Sequence, residues 1–258
     1  MELYHFTKHC SVIKIIEENA LIFSTPKKLN DPFDCNIDFN ITEGLEIDKL
    51  NLFLLNYYKN CSLKTLKKLG YSSIRELISF RVTEIINNPF THEKEIRSWF
   101  DELFKNMGVC SFTKNNKDIL LWSHYADKHL GVCLKFESKN DQDFFKNPIP
   151  ISYETSYPDY NFINNFDKAR DILVGTKYKL WSYEEEIRLI KEININTNKF
   201  QFNKSALTDI FFGLNCSNES IKSIKELTDK KKYKNIKFHK AVKKSKYFAI
   251  DFKEIKDL

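Results

Sequence analysis

Glu184, Glu186 and Arg188, set at alternate positions, are the residues of this chain best placed to do chemistry. In an extended strand over residues 184–190, successive side chains point to opposite faces. That spacing puts both carboxylates and the guanidinium on one face, and Tyr183, Glu185, Ile187 and Leu189 on the other. Trp181 and Tyr183 flank the row. A carboxylate held by a cation among aromatic rings is suited to act as an acid, a base or an electrostatic stabiliser. Taken on spacing alone, the pattern is met more simply by two solvated glutamates on the polar side of an edge element, because exposed ion-pair networks are common.

The elements that must position this row read as α+β: short strands interrupted by helices, without a regular β-α-β period. Residues 2–7 alternate and are rich in aromatics, which predicts a first strand. Ser11 is the expected N-cap of a helix over 12–19, followed by a second strand over 19–24. Pro32 disfavours helix at Asp31, so residues 29–34 are expected to be irregular, with Asn30, Asp31 and Asp34 as turn formers. Residues 45–107 read as a helical insert with helices over 50–58, 73–86 and 91–107. Strands are expected over 108–113, 131–136, 149–153, 207–213, 236–242 and 247–252, and helices over 165–177 and 217–227. Asn116 or Asp118 is expected to cap a short helix up to Ala126, and residues 193–202 are expected to pair with the 184–190 strand. The whole chain, 1–258, reads as one domain.

Composition narrows the function classes. Hydrophobic residues make up 42% of the 258, with 22 Phe and 12 Tyr, ample for a packed core. A net charge of +6 is compatible with an anionic ligand without demanding one. The six cysteines form no C-x-x-C pair, which argues against a thiolate metal site and a disulfide framework. His9, Asp31, His124 and His129 offer metal-binding atoms without H-E-x-x-H spacing, so no metal is expected. Neither a G-x-G-x-x-G nor a Walker loop is present. The amino terminus has no apolar leader and no run approaches the ~20 apolar residues of a membrane span, so a soluble cytoplasmic protein is expected.

Several stretches, taken together and in order, resemble a known family. They are Leu3-Tyr-His-Phe-Thr7, Leu29-Asn-Asp-Pro-Phe-Asp34, Val109-Cys-Ser-Phe112, Leu121-Trp-Ser-His-Tyr-Ala126 with His129, Gly131-Val-Cys-Leu-Lys-Phe136, and Lys177 through Trp181-Ser-Tyr-Glu-Glu-Glu-Ile-Arg188. From residue 3 to about residue 213 the chain resembles the bacterial domain-of-unknown-function family 2971. A more distant resemblance is to ADP-ribosyltransferases of the bacterial DNA/RNA-modifying toxin type. There, Tyr4-His5-Phe6-Thr7 looks like the Y-H-x-T signature of the first strand, and Glu184-Glu-Glu186 like the late glutamate element. Phe6 is bulky for that signature, and the second-strand serine motif of some branches has no counterpart.

The second resemblance implies an ADP-ribosyltransferase-like fold of split mixed and antiparallel sheets. It implies NAD as substrate, held by His5 and Thr7. Glu186 is then the catalytic carboxylate with Glu184 in support, Phe33, Trp122 and Tyr125 are candidates to stack nicotinamide, and Arg188 or Lys177 orients the glutamates or meets the pyrophosphate. The implied activity is that of an ADP-ribosyltransferase or NAD glycohydrolase, as a toxin or phage-defence effector acting on nucleic acid or protein. Segment 222–246 holds eleven lysines, from Lys222 to Lys246, which suits a nucleic acid acceptor, although a solvated face is the simpler account. The alternatives are a non-catalytic nucleotide- or nucleic-acid-binding module on the same scaffold, and a metal-dependent hydrolase.

Overall fold

Leu3, His5 and Thr7 alternate with Tyr4 and Phe6 in strand β1 (Glu2–Thr7), beside which the main sheet is assembled. The computed structural model describes residues 1–36, 44–158, 161 and 163–256. Helix α1 (His9–Glu18) buries Val12, Ile15 and Ile16 as one stripe and ends at Asn19 in the left-handed region. Its cap position falls on Lys8, with no side-chain bond, so the helix starts ahead of Ser11. Strand β2 (Ala20–Ile22) follows.

Four helices form the insert: α2 (Ile47–Tyr58), α3 (Leu63–Lys68), α4 (Ile74–Asn87) and α5 (Glu93–Phe104). Helix α3 is absent from the sequence expectation; it is only six residues long, too short for periodicity to reveal, and is capped by Ser62. Residue 107 belongs not to the insert but to β3 (Met107–Thr113). Leu50, Phe53, Ile78, Val82 and Ile85 pack with Val109 and Val174 into one core cluster.

Asp118 caps α6 (Ile119–Tyr125) by accepting from the N–H groups of Leu120 and Leu121. Then come β4 (Val132–Glu137), β5 (Ile149–Pro150), β6 (Ser152–Glu154), α7 (Phe166–Gly175) and β7 (Thr176–Tyr178). The remainder is β8 (Glu186–Glu192), β9 (Lys199–Gln201), β10 (Leu207–Phe212), α8 (Asn218–Lys230), β11 (Lys237–Lys243) and β12 (Ile250–Glu254). Eight strands form the main sheet in the order β12-β11-β10-β4-β1-β3-β8-β5. Its pairs are antiparallel except β10 with β11. The architecture is α+β.

Three further expectations are corrected. The 149–153 strand divides, because Pro150 cannot donate to a ladder; β5 stays a two-residue edge and β6 pairs instead with β7. The 165–177 helix stops at Gly175, placing Lys177 in an extended segment. Residues 193–202 do not pair with the 184–190 region; β9 pairs with β2.

The joint between β1 and β3 matters most for the site. These strands register at one pair, Tyr4 with Thr113. One residue on, the His5 ring takes the place of a backbone rung, with Nδ1 2.9 Å from the Ser111 carbonyl oxygen. A cavity lined by both strands lies at this joint.

Close backbone approach fixes Gly213, just after β10. A Cβ there would lie 2.1 Å from the His129 carbonyl oxygen. Gly213→Ala is therefore expected to cost about 1–3 kcal/mol or more, since backbone must move. Gly175→Ala, whose Cβ meets the Ile149 side chain at 3.2 Å and the Pro150 carbonyl oxygen at an ordinary 3.9 Å, is expected to cost much less. Urea unfolding of the two variants checks the ranking. Among the described residues, no helix is long and apolar enough to cross a membrane.

Candidate active site

The row of charged residues is buried, which overturns the solvated-edge expectation. Asp34, Lys177, Glu184, Glu186 and Arg188 are each at most 7% exposed. The backbone delivering them also differs from a continuous strand. Residues Lys179–Glu184 form a 3-10 segment and Glu185 adopts a left-handed conformation (φ 43°), so β8 begins only at Glu186. Glu184 therefore approaches from a turn, pinned where the Thr113 hydroxyl donates to its carbonyl oxygen at 2.5 Å. Glu186 and Arg188 do share a strand face, while Ile187 and Leu189 enter the core on the other.

Arg188 is the hub. Its Nη1 and Nη2 donate to the two Asp34 carboxylate oxygens at 2.8 and 2.5 Å. Its Nε donates to Glu186 Oε1 at 2.7 Å and Nη2 to Oε2 at 3.0 Å. Lys177 Nζ donates to Glu184 Oε2 at 2.5 Å and Glu186 Oε2 at 3.0 Å, and lies 3.8 Å from Asp34 Oδ2. The Lys177 ammonium also stands over the Trp181 ring, 4.9 Å from its centroid. Three carboxylates thus face two cations, leaving one formal negative charge in excess.

The carboxyls differ in environment. Burial pushes Glu186 upward, but the Arg188 guanidinium and the Lys177 ammonium outweigh it and hold the group down at about 2. For Glu184 burial wins over Lys177, and its carboxyl lies above the ordinary range. Tyr125 donates its hydroxyl to Glu184 Oε1 at 2.8 Å and accepts from the Asn30 amide at 3.1 Å. Burial and then the Glu184 charge raise the Tyr125 hydroxyl, so it stays a donor. His5 is lowered by burial and thus neutral near pH 7; a carbonyl only accepts, so Nδ1 carries the proton.

The cluster lines a cavity of about 330 Å³ together with Tyr4, His5, Lys28, Asn30 and Tyr125. Among the expected site residues, His5, Tyr125, Lys177, Glu184, Glu186 and Arg188 converge there. Trp122 does not: it is fully buried, packs edge-on against Phe6, and donates its indole N–H to the Asn116 carbonyl oxygen. Its role is core packing, because its position on α6 faces the sheet. Thr7 is buried on β1 but does not line the cavity, and Phe33, 67% exposed, lines a neighbouring one. Sequence reasoning treated Asp34 as a turn former and missed it as the partner of Arg188. It also passed over Tyr153, whose hydroxyl accepts the Glu186 N–H at 2.8 Å.

Among the described residues, no three His, Cys, Asp or Glu side chains gather in a metal-binding group. The lysine-rich segment does not line the cavity. Most of its lysines are exposed, while Lys240 donates to the carbonyl oxygens of Gly213 and Cys216.

Residues 121–189 match the model of a family described as a protein of unknown function (DUF2971). The stretch similar to this family runs from α6 into β8 and carries Tyr125, Lys177, Glu184, Glu186 and Arg188. His5 and Asp34, which complete the cavity wall, lie outside it. No curated protein and no solved structure matches the chain.

Proposed function

We propose that this cavity binds the nicotinamide ribosyl half of NAD and breaks its N-glycosidic bond, as an ADP-ribosyltransferase or NAD glycohydrolase does. The observation that carries this is the buried cluster of three carboxylates and two cations, with its excess negative charge beside the cavity. A fixed negative charge in a low-dielectric site favours a ligand that brings positive charge, and the pyridinium ring of NAD does so.

In the step proposed, the bond between ribose C1′ and the pyridinium nitrogen breaks and its electron pair neutralises the ring. Positive charge passes to the ribose as an oxocarbenium-like state, which an adjacent carboxylate stabilises. The acceptor, whether water, a base or a protein side chain, then bonds to C1′ and gives up its proton. The sequence expectation gives the reacting carboxylate to Glu186. Glu186 accepts two bonds from Arg188 and one from Lys177, whereas Glu184 accepts one from Lys177 and one from the cavity residue Tyr125 and carries the raised carboxyl. These contacts favour Glu184 at the reacting centre, with Glu186, Lys177 and Arg188 positioning it. The cavity volume suits part of a dinucleotide. Among the described residues lining this cavity, Lys28, which is exposed, is the cation left to meet phosphate.

NADH has nearly the same shape but an uncharged dihydropyridine ring. Calorimetric titration is therefore expected to give at least about tenfold tighter binding of NAD than of NADH, a difference of roughly 1.4 kcal/mol. Equal affinity would remove the charge argument.

A further inference from the structure

A second cavity of about 290 Å³ lies beside the first, and Lys177 lines both. Its walls include Phe33, Tyr157 and Tyr178, which are 67%, 39% and 48% exposed. Three solvent-facing rings around one hollow form an apolar surface that a soluble protein ordinarily covers. The hollow is built from separate parts of the chain. The Tyr157 hydroxyl donates to the Phe33 carbonyl oxygen at 3.3 Å, joining segment 29–36 to the chain after β6. Glu154 and Tyr178 are register partners across β6 and β7.

The walls also carry two carboxylates, Asp31 and Glu154, with Asn36 and the hydroxyls of Thr155, Ser156 and Thr176. Asp31 Oδ1 accepts from the Phe33 N–H at 2.9 Å, and Glu154 Oε1 from the Ser152 hydroxyl at 2.7 Å. A carboxylate offers about four acceptor positions, so both retain capacity for further donors. Flat apolar faces beside two carboxylate acceptors, among hydroxyl and amide groups that can donate or accept, fit a planar heteroaromatic ring bearing amino groups. A phosphate would face both carboxylates, while the Lys177 ammonium is already bonded to Glu184 and Glu186.

We propose that this second cavity is a nucleobase subsite. The base stacks on Tyr178 or Phe33 and donates its exocyclic N–H to Glu154 or Asp31. The inference rests on the first cavity being a nucleotide site, and it extends that site across Lys177. The base has two sources: the adenine of the same dinucleotide, or a base of an acceptor nucleic acid.

The test titrates the full chain and its Phe33→Ala and Tyr178→Ala variants with four probes: adenosine monophosphate, nicotinamide mononucleotide, NAD and a short single-stranded oligonucleotide. Stacking on one aromatic ring is worth roughly a tenfold change in affinity or more. Adenosine monophosphate is expected to weaken by about that factor in at least one variant, with nicotinamide mononucleotide unchanged. A parallel loss for NAD identifies the adenine of the dinucleotide. An unchanged NAD affinity with a weakened oligonucleotide identifies the acceptor base. Adenosine monophosphate that fails to bind, or binds all three proteins alike, overturns the subsite. If nicotinamide mononucleotide fails to bind while the variants still weaken adenosine monophosphate, the subsite stands and the reaction proposed for the first cavity falls.

Discussion

Arg188→Ala is expected to destabilise the protein by about 3–5 kcal/mol, because it strands buried carboxylates without their counter-ion. Arg188 is 1% exposed and holds Asp34 through two bonds and Glu186 through two more. Against a total stability of about 5–15 kcal/mol for an ordinary domain, that is a large fraction. The loss corresponds to a fall in Tm of about 10 °C. Replacing Arg188 and Asp34 together by apolar residues is expected to recover part of it, since a missing pair costs less than a broken one. The pairing also has a pH signature. The Glu186 carboxyl sits at about 2 in the folded chain, below its ordinary 4.5. Its contribution is fully present above 4.5 and is lost as pH falls from there towards 2. Glu184, being raised, works in the opposite sense. Urea unfolding as a function of pH is expected to show a smaller acid-side loss in Arg188→Ala than in the parent chain. A variant within about 1 kcal/mol of the parent at neutral pH would contradict the role given to Arg188.

Glu184→Gln carries the largest expected effect on activity. The amide keeps the size of the side chain but removes the excess negative charge. Its single carbonyl oxygen can still accept from Lys177 while its NH2 turns to the Tyr125 hydroxyl oxygen. Under the proposed function, NAD cleavage is expected to fall roughly 10²–10³-fold, the range found when one preorganised electrostatic partner is lost. Stability is expected to hold or rise, because the buried cluster becomes neutral. Because burial raises the Glu184 carboxyl, its ionised form accumulates at higher pH than that of an exposed glutamate. Activity in the parent chain should therefore have an acid limb displaced upward from that of an exposed glutamate, and the Gln variant should lack it. A rate profile against pH reads both features.

The sequence made much of this arrangement legible. Alternate spacing put Glu186 and Arg188 on one strand face, as two-residue periodicity requires, whereas Glu184 reaches the same cluster from a turn rather than from the strand. It did not reveal the left-handed residue Glu185, since that conformation in a non-glycine residue leaves no compositional mark. Burial was not legible either. Two glutamates and an arginine look the same in a sequence whether water or Asp34 and Lys177 surround them. Asp34 is 154 positions from Arg188, and such a pairing emerges only from the tertiary fold. Trp122 and Tyr125 lie on one short helix, yet the sheet takes Trp122 into the core and leaves Tyr125 at the cavity. The strand errors have a similar origin: β5, β6 and β9 are two or three residues long, too short for periodicity to assign partners.

Nicotinamide release from NAD by the purified 258-residue chain, measured beside Glu184→Gln, tests the central claim most directly. The account predicts release by the parent chain that falls at least about a hundredfold in the variant while its unfolding midpoint is unchanged or higher. No release by the parent, or equal release by both, would contradict the assignment of this cavity to N-glycosidic cleavage.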